Sequence, residues 1–149
     1  MAIAESNPGQ LPALRGMYFD GLERPLCGQI PHSKKHVMVK DNIDTRALLD
    51  SLSACSAACE HCATACLEEY EVKMLTHCIL LDRDCADICR LTATLIARGS
   101  VHGQHLLREC AEVCNLCAKE CDKHGHMRHC QECADACRAC EKACREYFS

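Results

Sequence analysis

Apolar residues recur at helical spacing along most of the chain, but its first part lacks such a period. Residues 1–43 hold all four prolines and four of the seven glycines. From Asp44 onward, a suitable N-cap, the helical period is sustained and is broken only near residue 71 and around Gly99 and Gly125. The pattern predicts an irregular N-terminal arm over residues 1–43 and four helices at about 44–70, 72–98, 103–123 and 126–147.

Very short connections join the predicted helices, so each helix must run antiparallel to the one before it. The expected fold is therefore all-α, an antiparallel up-down-up-down four-helix bundle over residues 44–149, preceded by the arm. Three of the helices also resemble one another as CxxxCxxCxxxC-type units, which indicates a duplicated helical hairpin.

The high cysteine content indicates an unusual core. The chain of 149 residues has 17 Cys but no Trp and only two Phe, a composition typical of either a disulfide scaffold or a metal site. Residues 1–16 include Glu5, Asn7 and two prolines and do not resemble a secretory signal. We therefore expect a cytoplasmic protein, whose thiols stay reduced. Free thiols and metal binding are favoured over disulfides.

The cysteines fall on one face of each predicted helix. On the first and third helices they are spaced 4, 3 and 4 residues apart, and at about 100° per residue this spacing keeps them in one narrow stripe. One buried cysteine is often just a small hydrophobe, but leucine would bury far more area at so many core positions. The spacing predicts a Cys-lined core whose metal ligands are Cys55, Cys59, Cys62, Cys66, Cys78, Cys85, Cys89, Cys110, Cys114, Cys117, Cys121, Cys130, Cys133, Cys137, Cys140 and Cys144.

The unbroken ladder of thiols favours copper(I) over other metals. Copper(I) is soft and accepts two or three sulfurs, so neighbouring ions can share thiolates. One ion per thiolate would leave the core neutral, which matters because no Lys or Arg lies on the cysteine seams. We expect several copper(I) ions per chain. An iron–sulfur electron-transfer protein and a zinc or thiol buffer akin to metallothionein stay open as alternatives.

The two ends of the predicted bundle differ in chemistry. Antiparallel topology gathers borderline and soft ligands at one end, where they predict an entrance for metal: Met74, His77, His124, His126, Met127 and His129. Asp82 lies on the seam of the second helix and could accept hydrogen bonds or ligate near that end. The opposite end continues the seams in apolar form and is expected to hold the bundle together without metal, through Leu48, Leu52, Leu95, Ile96, Leu106, Leu107, Tyr147 and Phe148.

Several function classes have no support in the sequence. The net charge of −4 is spread in mixed-sign pairs, without the basic stripe or aromatic platform that nucleic acid needs. No stretch is apolar for the roughly 18 residues of a membrane span. No isolated Cys/His pair or substrate pocket stands apart from the cysteine ladder, so an enzyme is not expected.

The cysteine helices, the segment from Leu81 to Cys89 and the run from Lys123 to Cys130 resemble the copper storage proteins, in particular their cytosolic branch. The resemblance covers about residues 44–149. It implies a homotetramer of four-helix bundles, each filled with cysteine-bound copper(I), with His and Met near the open end. A copper chaperone or exporter would then be the class of partner with which copper is exchanged. The long arm and its Cys27 depart from compact members of the family.

Overall fold

The computed structural model describes residues 43–147, which form four long helices. No strand is present within that range, so the expectation of an all-α fold is confirmed. The predicted arm, with Cys27, lies outside the described residues. The helices are α1 (Ile43–Glu68), α2 (Thr76–Ala97), α3 (Gly103–Asp122) and α4 (Arg128–Tyr147), with a short 3-10 turn at Val72–Leu75 before α2.

Each helix packs against two neighbours. The α1 helix lies against α2 and α4, and α3 lies against the same two helices from the opposite side. Because the connections are short, consecutive helices are antiparallel. The result is the up-down-up-down bundle that the sequence predicts, with a single axis toward which all four helices turn their seams.

Local backbone chemistry sets where the helices begin and end. The second helix starts at Thr76 and not at residue 72, because the preceding turn is tightened by a bond from the Met74 N–H to the Glu71 carbonyl, 2.9 Å. The α2 helix ends at Ala97, and Gly99, two residues later, has a φ of 63°, which favours glycine. There the N–H of Ser100 donates to the Leu95 carbonyl at 2.9 Å and closes the helix end.

The apolar end of the bundle, defined by Leu48, Leu52, Ile96 and Leu107, carries the conventional part of the core. All four side chains are buried. Of the other residues expected there, Leu95 and Leu106 are half-buried, and Tyr147 lies at the surface, where its hydroxyl is 3.0 Å from that of Thr45. Phe148 lies outside the described residues. Among residues 43–147, the buried side chains at this end are aliphatic.

Ion pairs tie the outer faces of each hairpin. Glu60 on α1 accepts hydrogen bonds from Arg83 and Arg90 on α2, and Asp122 accepts two from Arg138 on α4. Such exposed pairs contribute little each, roughly up to 1 kcal/mol. The helices of residues 43–147 lack the combination of length and apolar character that crossing a bilayer requires.

Candidate metal site

Thiols line the interior of the bundle along most of its length. All sixteen cysteines that the structure describes are buried, and all are free thiols. The seams predicted from the helical spacing face one common axis, so the fold brings these side chains together in one column. Their role as metal ligands stays a prediction that the geometry can support.

Sulfur atoms on different helices lie close enough to share one ion. The Sγ atoms of Cys59 and Cys137 are 3.5 Å apart, and those of Cys89 and Cys110 are 3.6 Å apart. Two sulfurs at a typical metal–sulfur distance of about 2.3 Å can be at most about 4.6 Å apart. Each pair can therefore close on an ion with little movement. The Sγ atom of Cys55 lies within 3.9 Å of one sulfur on every other helix, namely Cys85, Cys114 and Cys137.

Possible ligand groups overlap along the axis instead of separating into discrete sites. Cys55 belongs to two neighbouring groups of sulfurs, and so do Cys59 and Cys137. A thiolate can serve two groups only by bridging two ions, so the arrangement suits a chain of linked ions better than separate four-sulfur sites. The groups, each with all sulfurs within 4.8 Å of one another, are Cys55, Cys89, Cys114 and Cys140; Cys55, Cys59, Cys85 and Cys137; and Cys59, Cys117, Cys133 and Cys137.

Asp82 occupies the place of a cysteine in the seam of α2, four residues after Cys78 and three before Cys85. Its side chain is fully buried. Burial raises the pKa of Asp82 to about 10, so the carboxyl group is protonated at neutral pH. Its Oδ1 accepts hydrogen bonds from three thiols, those of Cys117, Cys133 and Cys121, at 3.1, 3.3 and 3.5 Å.

We call the mouth the end of the bundle where α1 and α3 end and α2 and α4 begin. His129 lies there, and its Nε2 atom is 3.5 Å from the Sγ atom of Cys66. The Nδ1 atom of the same ring is 3.9 Å from a carboxylate oxygen of Glu69. With Cys62 and Cys130, His129 and Cys66 form a group of four donor atoms within 4.8 Å of one another. An imidazole thus adjoins the outermost thiols.

The thiols of Cys66 and Cys130, at the mouth, are held in their protonated form when no metal is bound. Burial raises the pKa of Cys66 to about 11, and it also raises the pKa of Cys130. Metal binds the thiolate, so loading at the mouth must release protons.

The other predicted entrance residues differ in their surroundings. Met74 is 72% exposed, and His126 is exposed too, so both side chains are open to solvent. Met127 is half-buried and packs against the core. His77 and His124 instead face the carboxylate of Glu120.

Glu120 is a mouth residue that the sequence reasoning missed. It lies in the last turn of α3 and is buried. Its Oε2 atom is 3.7 Å from Nε2 of His77, and its Oε1 atom is 3.8 Å from Nε2 of His124. The spacing of Glu120 and His124, four residues apart on a helical face, was the available signal.

These features define a class of protein, a four-helix bundle whose buried free thiols lie close enough together to hold soft metal ions. Residues 41–149 match the copper storage protein family. The match covers well over half of the chain, and the chain belongs to this family.

Relatives support the same assignment. An uncharacterised cysteine-rich protein of Bacillus subtilis, YhjQ, is 43% identical over 87 residues, 58% of this chain and 80% of that protein. The copper(I)-bound copper storage protein BsCsp3 is 40% identical, with a TM-score of 0.68, over 71% of this chain and 99% of that one. A cytosolic copper storage protein from Streptomyces lividans, solved with five coppers, is 42% identical, with a TM-score of 0.66, over 70% and 93%. The Streptomyces protein has also been solved loaded with 10 copper equivalents.

Proposed function

We propose that this copper storage protein holds its copper(I) ions on the sixteen described cysteines, as linked ions along the bundle axis. The observation that carries the proposal is the overlap of the ligand groups, in which Cys55, Cys59 and Cys137 each belong to two sets of neighbouring sulfurs. Bridging thiolates and low coordination numbers are features of copper(I). A ladder of shared sulfurs is therefore suited to store many ions in a small volume.

The charge of the core favours copper(I) over the alternatives. A four-thiolate zinc site keeps two net negative charges, and burying several such sites in a bundle core would be costly. One copper(I) ion per thiolate leaves no net charge. Iron–sulfur clusters require separate sets of four cysteines, whereas the sets in this bundle share members.

Copper titration tests the proposal. The reduced copper-free protein is expected to bind more than four copper(I) ions per chain in competition with a strong copper(I) chelator, because four is the most that separate four-sulfur sites could form from sixteen cysteines. Anaerobic titration with metal analysis gives the number. Saturation at four ions or fewer would contradict the linked-ion core and favour zinc or iron–sulfur sites.

We also propose that copper enters at the mouth, where His129 lies against Cys66. An imidazole nitrogen is a borderline ligand that can hold copper(I) briefly before softer sulfur replaces it. The first copper-binding site would be the group of Cys62, Cys66, His129 and Cys130, from which ions move inward. The remaining predicted entrance residues lie at the same end of the bundle and are candidates for earlier contacts with copper: Met74, His77, His124, His126 and Met127.

Replacing His129 tests the entrance. The His129→Ala variant is expected to load copper(I) about tenfold more slowly, because a ligand of the first copper-binding site is lost. Its copper capacity at saturation should change by about one ion or less. Stopped-flow absorbance of the copper–thiolate bands gives the rate. The matched control is His61→Ala, an exposed histidine on α1. Equal loading rates for His129→Ala and the unaltered protein would remove His129 from the path.

The cellular location and the oligomeric state of the protein are proposed from its relatives. We propose a cytosolic protein, supported by the relative from Streptomyces that is described as cytosolic, which exchanges copper with a chaperone or exporter. A homotetramer is proposed from the family resemblance. Exposed Leu80 and Leu91, eleven residues apart and thus three turns along one face of α2, offer apolar surface for self-association. Light scattering of the purified protein gives the oligomeric state directly.

A further inference from the structure

Glu120, His77 and His124 form a second cluster of metal-binding side chains at the mouth, made of nitrogen and oxygen donors. The carboxylate of Glu120 lies between the two imidazoles, with one oxygen 3.7 Å from His77 Nε2 and the other 3.8 Å from His124 Nε2. Glu120 is only 8% exposed. Two helices take part, because His77 lies in the first turn of α2 and Glu120 lies in the last turn of α3.

The ring of His124 has one nitrogen whose hydrogen-bonding capacity is not used. Its Nε2 atom is buried and has no hydrogen-bond partner within residues 43–147. The nearest oxygen of Glu120, at 3.8 Å, is too far for a hydrogen bond. A buried polar atom without a partner costs about 1–3 kcal/mol. A cation between the imidazole and the carboxylate would satisfy the nitrogen and the oxygen together.

We propose that Glu120, His77 and His124 bind a divalent cation of the zinc class, at a site distinct from the thiol core. Imidazole and carboxylate are borderline and hard ligands that suit Zn²⁺ or Co²⁺, whereas copper(I) prefers the sulfurs inside. Nitrogen and oxygen donors at about 2.0–2.2 Å from one ion can be at most about 4.3 Å apart. The distances of 3.7 and 3.8 Å meet that limit. The ion would link the ends of α2 and α3.

Lys123 competes with the ion for the carboxylate. Its Nζ atom donates to Oε2 of Glu120 at 2.6 Å, the same oxygen that faces His77. The lysine side chain is 64% exposed and can swing into solvent when an ion arrives. Removing its charge should therefore strengthen ion binding, whereas removing the charge of Glu120 should weaken it. These opposite signs separate a metal site from a network of ion pairs.

Cobalt(II) added to the copper(I)-loaded protein tests the site. Copper occupies the thiols, and metal analysis before the addition verifies the loading, so a failure of copper storage would be seen separately from a failure of this site. The protein is expected to bind one Co²⁺ per chain with weak d–d absorption and no intense sulfur-to-cobalt bands. Zn²⁺ should displace the cobalt. Intense sulfur-to-cobalt bands, or no binding, would overturn the proposal.

Three substitutions test which side chains bind the cobalt ion. Glu120→Gln and His77→Ala are each expected to weaken cobalt binding at least about tenfold, and Lys123→Gln to strengthen it by up to about tenfold. His77 is exposed, so its replacement leaves the fold intact even if the buried Glu120 variant is unstable. The matched controls on α3 are the exposed residues Glu112→Gln and His105→Ala. Equal affinities in the His77, Lys123 and control variants would overturn the assignment.

Discussion

Replacing Leu52 by alanine is expected to lower the free energy of unfolding of the copper-free protein by about 2–5 kcal/mol. Leu52 is fully buried at the apolar end, where few large side chains carry the packing. Thiols fill the rest of the core and bury less apolar area than leucine. A loss of this size is a large part of the roughly 5–15 kcal/mol by which domains are stable.

Urea unfolding followed by circular dichroism, under reducing conditions, measures the effect. Copper bound only by the folded chain adds stability by mass action, so the loaded Leu52→Ala variant is expected to stay folded where the copper-free variant unfolds. The control is Leu67→Ala, the same substitution at a position of α1 that is 55% exposed, which should change stability by less than about 0.5 kcal/mol. Equal urea midpoints for Leu52→Ala and Leu67→Ala would contradict a core concentrated at the apolar end.

Asp82→Asn is expected to remove a pH dependence from the stability of the copper-free protein. Burial raises the pKa of Asp82 to about 10 in the folded state, far above the 3.8 of an exposed aspartate carboxyl. The folded chain therefore keeps a proton that the unfolded chain releases. This contribution is fully present below the unfolded pKa and is lost as the pH rises toward 10, by up to about 1.4 kcal/mol per pH unit.

The test compares both proteins between about pH 5 and pH 7.5, below the range in which free thiols ionise. The difference in unfolding free energy between Asp82→Asn and the unaltered protein should grow with pH, because asparagine has no proton to lose. Groups that ionise in the same way in both proteins cancel in the difference. A difference that stays constant across this range would show that the Asp82 carboxyl is ionised in the folded chain.

The sequence predicts the bundle and its lining well, for a simple reason. A helix turns about 100° per residue, so the 4, 3, 4 spacing of Cys55, Cys59, Cys62 and Cys66 allows only one helical face. Helix ends are less certain, since they depend on backbone hydrogen bonds such as the one that tightens the turn before Thr76. The spacing of residues along the sequence does not predict such backbone hydrogen bonds.

The mouth was harder to predict than the core. Periodicity places His77, His124 and His129 near one end, but the turn after α3 and the alignment of neighbouring helices decide what each ring faces. His129 meets the thiol of Cys66, whereas the other two meet Glu120. A contact between two helices depends on their relative height and rotation, and neither quantity is contained in the spacing along one helix.

The buried thiols also decide what the outside of the molecule can reveal. A thiol that exchanges its proton for copper(I) keeps its charge, and the described cysteines have no exposed surface. The formal net charge of −4 therefore remains the same in the empty and the filled chain. Solubility and long-range attraction to other proteins should not change with filling. A partner that must distinguish an empty chain from a full one would have to recognise the mouth, where the outermost ligands meet the solvent.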